Sequence, residues 1–211
     1  MSLFAALQLG LLVSMLFCVV VLTLKVLLAL RFGRKPTYAH PQGSSFAGVL
    51  YALGQGMLPW EKETASKHIW TYMGGTLYHV GIMTATLLLV SVLFSISLPA
   101  KVLNLVRMSL VLGVVGGVGL LIKRIFQPHM RLLSDADDYL ANILVNLLLL
   151  SALTATFAEN LLVGFVAVAI IVFIYIPFGK IRHCVFFFYS RVLFGDFFGK
   201  RGVLPHPSRK T

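Results

Sequence analysis

The chain is short of charge. Only 12% of its 211 residues are Asp, Glu, Lys or Arg, where a soluble domain carries roughly a quarter. That deficit excludes a water-covered globule and leaves lipid as the main solvent. Cysteine is nearly absent. Cys18 and Cys184 lie far apart in apolar runs, and neither belongs to a CxxC or CxxCH pattern. A disulfide framework, a chain-bound iron–sulfur cluster and a c-type haem are therefore unsupported. Acids are scarcest of all, seven against 18 Lys and Arg, for a net charge of +11. In so apolar a chain, that excess reads as loop charge that fixes membrane topology rather than as a nucleic-acid surface. No polar linker divides the sequence, so residues 1–211 are expected to form a single membrane domain.

What is present is hydrocarbon. Hydrophobic residues make up 58% of the chain, and about 20 consecutive apolar residues span a bilayer as helix. Five segments qualify, at about 3–30, 70–98, 102–122, 138–158 and 161–189, predicting an all-α bundle of five transmembrane helices. The first lacks the basic flank and small-residue cleavage site of a signal peptide, so it is read as a mature helix. With five spans, the loop 31–69, the loop 123–137 and the tail after 179 share one side, and fifteen of the 18 Lys and Arg lie there. The positive-inside bias then puts the N-terminus outside and the C-terminal tail, 190–211, in the cytoplasm of a multi-pass protein. Within the first loop, the stretch FAGVLYALG of segment 36–67 reads either as an interfacial helix on the cytoplasmic leaflet or as a contact for a partner subunit.

Ionisable groups inside membrane spans are costly and serve as functional hypotheses. His79, in TLYHVGIMTATLLL, and His183, in IYIPFGKIRHCVFFFYSRVLF, meet that test. Two helices each offering a neutral imidazole can hold a haem between two axial nitrogens. From the expected span starts, His79 lies roughly 13 Å into its helix and His183 roughly 33 Å into its own, at 1.5 Å per residue. Tilt, or an entry nearer Gly74 and Gly75, closes that difference in depth. Gly74, Gly75 and Gly81 flank His79 and offer a flat ring room to lean, whereas Gly113 and Gly117 fit close helix packing better.

Three strings carry a resemblance: YHVGIMTATLLL, LLIKRIFQPHMRLLSDADDYL and PFGKIRHCV, in that order over about residues 70–190. Together they resemble the cytochrome b (gamma) subunit of respiratory nitrate reductase, a protein of the prokaryotic cytoplasmic membrane, and its relatives in heterodisulfide-reductase and sulfite-reduction complexes. The resemblance implies that His79 and His183 ligate one haem b nearer the cytoplasm, with Arg124, Pro128, Arg131 and Asp138 matching the family's loop. The positions of the family's second, outer pair of histidines are Leu89 and Phe165 here, which cannot bind iron, so a single-haem variant is expected. It further implies electron passage between quinol and a cytoplasmic iron–sulfur protein subunit, within a larger oxidoreductase complex.

The other polar residues have plainer readings. Arg124, Arg131, Lys180 and Arg182 suit haem propionates or serve only as topology charges. Asp135, Asp137 and Asp138 precede the fourth span, where acids favour a helix N-terminus, and capping outranks quinol proton acceptance. Tyr78, Tyr139 and Asp138 are the candidates for a quinol site. His68 sits at a span entry as an alternative ligand or proton-handling group, while His40, His129 and His206 lie beside prolines as solvated loop residues. Two competing functions share the fold: a haem-free membrane anchor or assembly subunit, and a small transporter. The transporter is disfavoured because the spans lack paired intramembrane acids and an inverted repeat.

Overall fold

The computed structural model describes residues 3–32, 38–62 and 66–204. Among them there is no strand, and the elements in chain order are α1 (Leu3–Arg31), α2 (Ser45–Leu53), α3 (Ile69–Leu93), α4 (Ala100–Phe126), α5 (Pro128–Leu132), α6 (Ala136–Ala155), α7 (Leu162–Tyr175) and α8 (His183–Lys200). Four of these, α1, α3, α4 and α6, are long and apolar enough to cross a membrane. The broken pair α7 and α8 makes a fifth if taken as one span. The protein is all-helical and multi-pass, as its composition predicts.

Local chemistry sets the boundaries. Pro99 stands at the N-cap of α4, and Pro128 occupies the first turn of α5, where the missing N–H costs nothing. Asp135 caps α6 with a full capping box: its carboxylate accepts from the Asp138 N–H at 3.1 Å, and the Asp138 carboxylate accepts from the Asp135 N–H at 3.1 Å. The capping expected for the acidic run is met, with Asp135 as the cap. Helix α3 ends on Ser95 at φ 54, followed by an Ile96 N–H to Ser91 carbonyl bond of 2.8 Å, the wider-ring closure of a left-handed C-terminal cap.

The fifth span differs from expectation. The predicted continuous helix 161–189 is two helices: Ile176 keeps helical dihedrals, but Pro177 after it has no N–H to continue the ladder. Helix α7 closes at Ile176, and α8 begins at His183. The tail read as 190–211 is likewise helical as far as Lys200.

The chain divides into two compact units. The first holds residues 1–21 and 70–181, the second 22–69 and 182–211, so α1 contributes to both. In the first, Leu11, Leu89, Leu110, Leu149, Phe165 and Val166 are essentially inaccessible and anchor one buried cluster. Around it, apolar side chains such as Leu87, Leu105, Val115 and Ile171 remain exposed. A soluble protein would bury such surface; a lipid-facing bundle leaves it outward.

Backbones in this unit meet where glycine allows. A Cβ on Gly81 would lie 2.7 Å from the Gly113 Cα, and one on Gly116 would lie 2.6 Å from the Gly74 carbonyl oxygen. Gly117 is covered by the Tyr78 ring and by the Asn146 side chain. Gly113 and Gly117 are packing residues, as read from the sequence. Gly81 joins them: it marks the contact of α3 with α4, and its assignment to a ring-binding face is corrected.

The second unit is organised by another set of glycines. A Cβ on Gly195 would lie 2.5 Å from the Val49 Cα, and one on Gly199 would lie 2.6 Å from the Ser44 carbonyl oxygen and 2.8 Å from the Gly48 Cα. Helix α2 thus lies directly on α8. Ser45 and Asp196 share a short hydrogen bond, and the N–H groups of Gln42 and Gly43 reach the Lys200 carbonyl at 2.8 and 3.1 Å. The stretch FAGVLYALG therefore packs against the chain's own last helix.

Candidate functional site

His79 lies eleven residues into α3 and is exposed. Its Nδ1 stands 2.7 Å from the Gly75 carbonyl oxygen. A carbonyl only accepts, so Nδ1 carries the proton, and in the neutral ring the lone pair sits on Nε2. This is the arrangement in which metal-binding imidazoles are held: one N–H committed to the backbone, the other nitrogen basic. One turn earlier, a Cβ on Gly74 or on Gly75 would meet nothing within 4 Å. The directions a Cβ would take from these two glycines are open.

His183 is the first residue of α8 and is also exposed. It belongs to the second unit and His79 to the first. His68 is exposed just before α3, His40 is exposed in its loop, and His129, expected in a loop, is exposed on the short helix α5. His206 lies outside the described residues.

The basic residues proposed to flank the site separate into two groups. Arg124, at the end of α4, pairs with Asp138 at 3.2 Å and donates to the Ser134 hydroxyl at 2.9 Å. Lys180 pairs with Asp138 at 2.6 Å and with Asp135 at 2.9 Å. The Tyr175 hydroxyl bonds the Asp137 carboxylate, and the Tyr175 ring occupies the space a side chain at Gly179 would need. Two of the three strings that carry the family resemblance thus meet in one ionic cluster, which ties the α4 and α7 ends to the start of α6. Lys180's hydrogen bond, then the Asp138 N–H, hold the Asp135 carboxyl below its usual range. With carboxylate partners of their own, Arg124 and Lys180 act first as structural ties. Arg131 on α5 and Arg182 before α8 are exposed.

Deeper in the first unit a second polar group accompanies the aliphatic core. Tyr78, beside His79, is buried and donates to the Asn142 carbonyl at 3.3 Å. Asn146 donates to the Asn142 side chain, while its own Oδ1 is buried with no donor among the described residues. Asp138, Asn142 and Asn146 follow one another at helical spacing, so a polar stripe runs down one face of α6 from the ionic cluster. Of the quinol candidates, Asp138 is engaged in that cluster, Tyr78 is enclosed and Tyr139 is half-buried.

Leu89 and Phe165, which the sequence resemblance set against outer haem ligands, are 1% and 0% exposed within the same buried cluster. Their side chains are core. Among the described residues no three His, Cys, Asp or Glu side chains gather as a metal-ion site; a haem, which brings four nitrogens of its own, needs only two. No family model, curated protein or solved structure matches the chain.

Proposed function

We propose that this protein is the cytochrome b-like membrane subunit of a prokaryotic respiratory complex, passing electrons between quinol and a cytoplasmic iron–sulfur partner through one haem b. The observation that carries the reading is the His79 ring, whose Nδ1–H is committed to the Gly75 carbonyl 2.7 Å away, beside the open faces of Gly74 and Gly75. An ionisable ring on an apolar helix is costly in a membrane and reads as a functional residue.

His79 and His183 are the proposed axial ligands. Arg131 and Arg182, exposed and basic, suit the propionate edge. Bound there, a bis-histidine haem supplies reversible one-electron transfer and no open coordination site. The chain's own part is to fix the His79 tautomer through Gly75, to leave space on the α3 face, and to fill the outer half of the bundle with Leu89 and Phe165. In this proposal the N-terminus faces outside, the C-terminus lies in the cytoplasm, and the basic side receives the partner.

The test is a visible absorption spectrum of the purified full chain, oxidised and dithionite-reduced, with haem quantified against protein. The expected result is a reduced b-type spectrum at about one haem per chain, lost in His79→Ala and in His183→Ala. A colourless preparation from haem-replete cells overturns the reading in favour of a haem-free anchor, which the occupied core positions Leu89 and Phe165 would equally suit. Survival of the bands in one variant reassigns that ligand.

A further inference from the structure

Helix α2 packs with its small residues inward. Gly48 and Ala52 are buried, and a Cβ on Gly48 would lie 2.6 Å from the Gly199 Cα of α8. Its large apolar residues point the other way. Phe46, Leu50 and Leu53 are 73%, 57% and 39% exposed, and their spacing of i, i+4 and i+7 sets them on one stripe. A helix resting on a protein in water turns such a stripe toward the core. No polar group of α2 relieves the exposure, because the helix carries no charge and its two polar side chains are engaged. Ser45 bonds the Asp196 carboxylate, and the Tyr51 hydroxyl donates to Glu61 at 3.3 Å.

The second unit also sets the level of this stripe. Residues 22–31, the last turns of the spanning helix α1, belong to it. The Tyr189 hydroxyl of α8 donates to the Ala29 carbonyl at 3.2 Å, so α8 is tied to the end of a membrane span. Gly195, on which α2 rests, follows Tyr189 by six residues, roughly 9 Å along the helix at 1.5 Å per residue. The stripe is thus held within reach of the headgroup layer.

The surroundings say what covers it. Tyr38 and Trp60, before and after α2 in the chain, are both exposed, and such rings gather at the membrane–water boundary. Twelve of the 18 Lys and Arg fall in the residue ranges of the second unit, against three of the seven acids. That excess complements an anionic leaflet. A protein partner is the poorer match, since protein interfaces are laced with hydrogen bonds and rimmed by polar groups, and this stripe offers no hydrogen-bonding side chain.

We propose that the Phe46, Leu50 and Leu53 face of α2 is embedded in the anionic phospholipid leaflet at the Arg31 end of α1. The three side chains lie among the upper acyl carbons, and the cations of the unit face the headgroups. Of the two readings that the sequence allows for FAGVLYALG, this selects the interfacial helix. The inference goes beyond the haem proposal and does not depend on its outcome.

The experiment places a nitroxide spin label at Phe46→Cys, Leu50→Cys or Leu53→Cys, one at a time, in the full chain carrying Cys18→Ala and Cys184→Ala. Each labelled chain is reconstituted alone into vesicles of mixed phosphatidylglycerol and phosphatidylcholine. Collision rates of the label with oxygen, which concentrates in acyl chains, and with a neutral water-soluble nickel chelate are then compared. Oxygen is expected to outpace the chelate by about threefold or more at all three positions, as for side chains several Å below the headgroups. Three separate positions keep the test open should one variant fold poorly. Faster collision with the chelate overturns the proposal, because the stripe then lies in water. Slow collision with both overturns it in favour of a second copy of the chain covering the stripe. In phosphatidylcholine alone the preference for oxygen is expected to fall, and an unchanged ratio there overturns the match to an anionic leaflet.

Discussion

The Lys180 ammonium lies 2.6 Å from an Asp138 carboxylate oxygen, across 42 residues of chain. Asp138 holds Arg124 as well, so one acid neutralises a cation from each of two neighbouring elements. In Asp138→Asn both ion pairs are lost, and the bundle is expected to lose stability. A lowered unfolding temperature in detergent is the readout, and Asp137→Asn, which keeps those pairs, is the comparison. Equal loss in the two variants would show that Asp138 has no special place.

Acid should weaken the same cluster in a defined direction. The Asp135 carboxyl is held below its usual range by Lys180 and by the Asp138 N–H. A depressed carboxyl lends stability above its ordinary pKa, and this contribution is lost as pH falls through the folded value. Unfolding temperature is therefore expected to decline below about pH 4 in the native chain. Asp135→Asn, already without the charge, should show a shallower decline over that window. Parallel profiles would remove Asp135 as the titrating group.

Glycines that look alike in sequence should respond in opposite ways. Gly81→Leu forces α3 away from α4 and is expected to cost about 1–3 kcal/mol or more, as overpacking does. Gly75→Ala meets open space and should leave the fold intact or stabilise it by up to about 1 kcal/mol, the helix propensity difference. If a haem leans on that face, Gly75→Leu should diminish the b-type bands while the circular dichroism spectrum stays native. Unchanged bands in Gly75→Leu would mean that the ring lies elsewhere.

The bundle was legible in the sequence because lipid imposes a simple rule: long apolar helices with every backbone group satisfied internally. The same rule hid the break in the fifth span. Residues 161–178 are apolar throughout, so hydropathy could not register Pro177, whose effect is steric and not a matter of polarity. The contact between α2 and α8 was missed for a related reason. Gly48, Gly195 and Gly199 are scattered over 150 residues, and only in three dimensions do they become one close approach. Gly195 and Gly199, in GDFFG, share the four-residue spacing of Gly113 and Gly117, a pattern that suits close helix packing. His79 was found by its cost in a membrane, but its tautomer depends on one carbonyl that the sequence cannot aim.

In the second unit, Gly195→Leu should separate α2 from α8. The expected readout is faster proteolysis between residues 38 and 62 with the first unit's helices unaffected, since α2 would lose the surface it rests on. Gly164→Ala, where a Cβ meets nothing within 4 Å, should cleave at the native rate. Identical cleavage in both variants would show that the glycine contact does not hold α2 in place.

The proline break has a consequence for how the fifth span meets the membrane. Helix α7 is 14 residues long, about 21 Å at 1.5 Å per residue, against a hydrocarbon core about 30 Å thick. Helix α6, with Asp138 in its first turn, is 20 residues long, about 30 Å, so the Lys180–Asp138 cluster sits at the edge of an ordinary core. Residues 176–179, rather than further helix, cover the rest of that depth on the fifth span, so its bend falls where hydrocarbon gives way to headgroups.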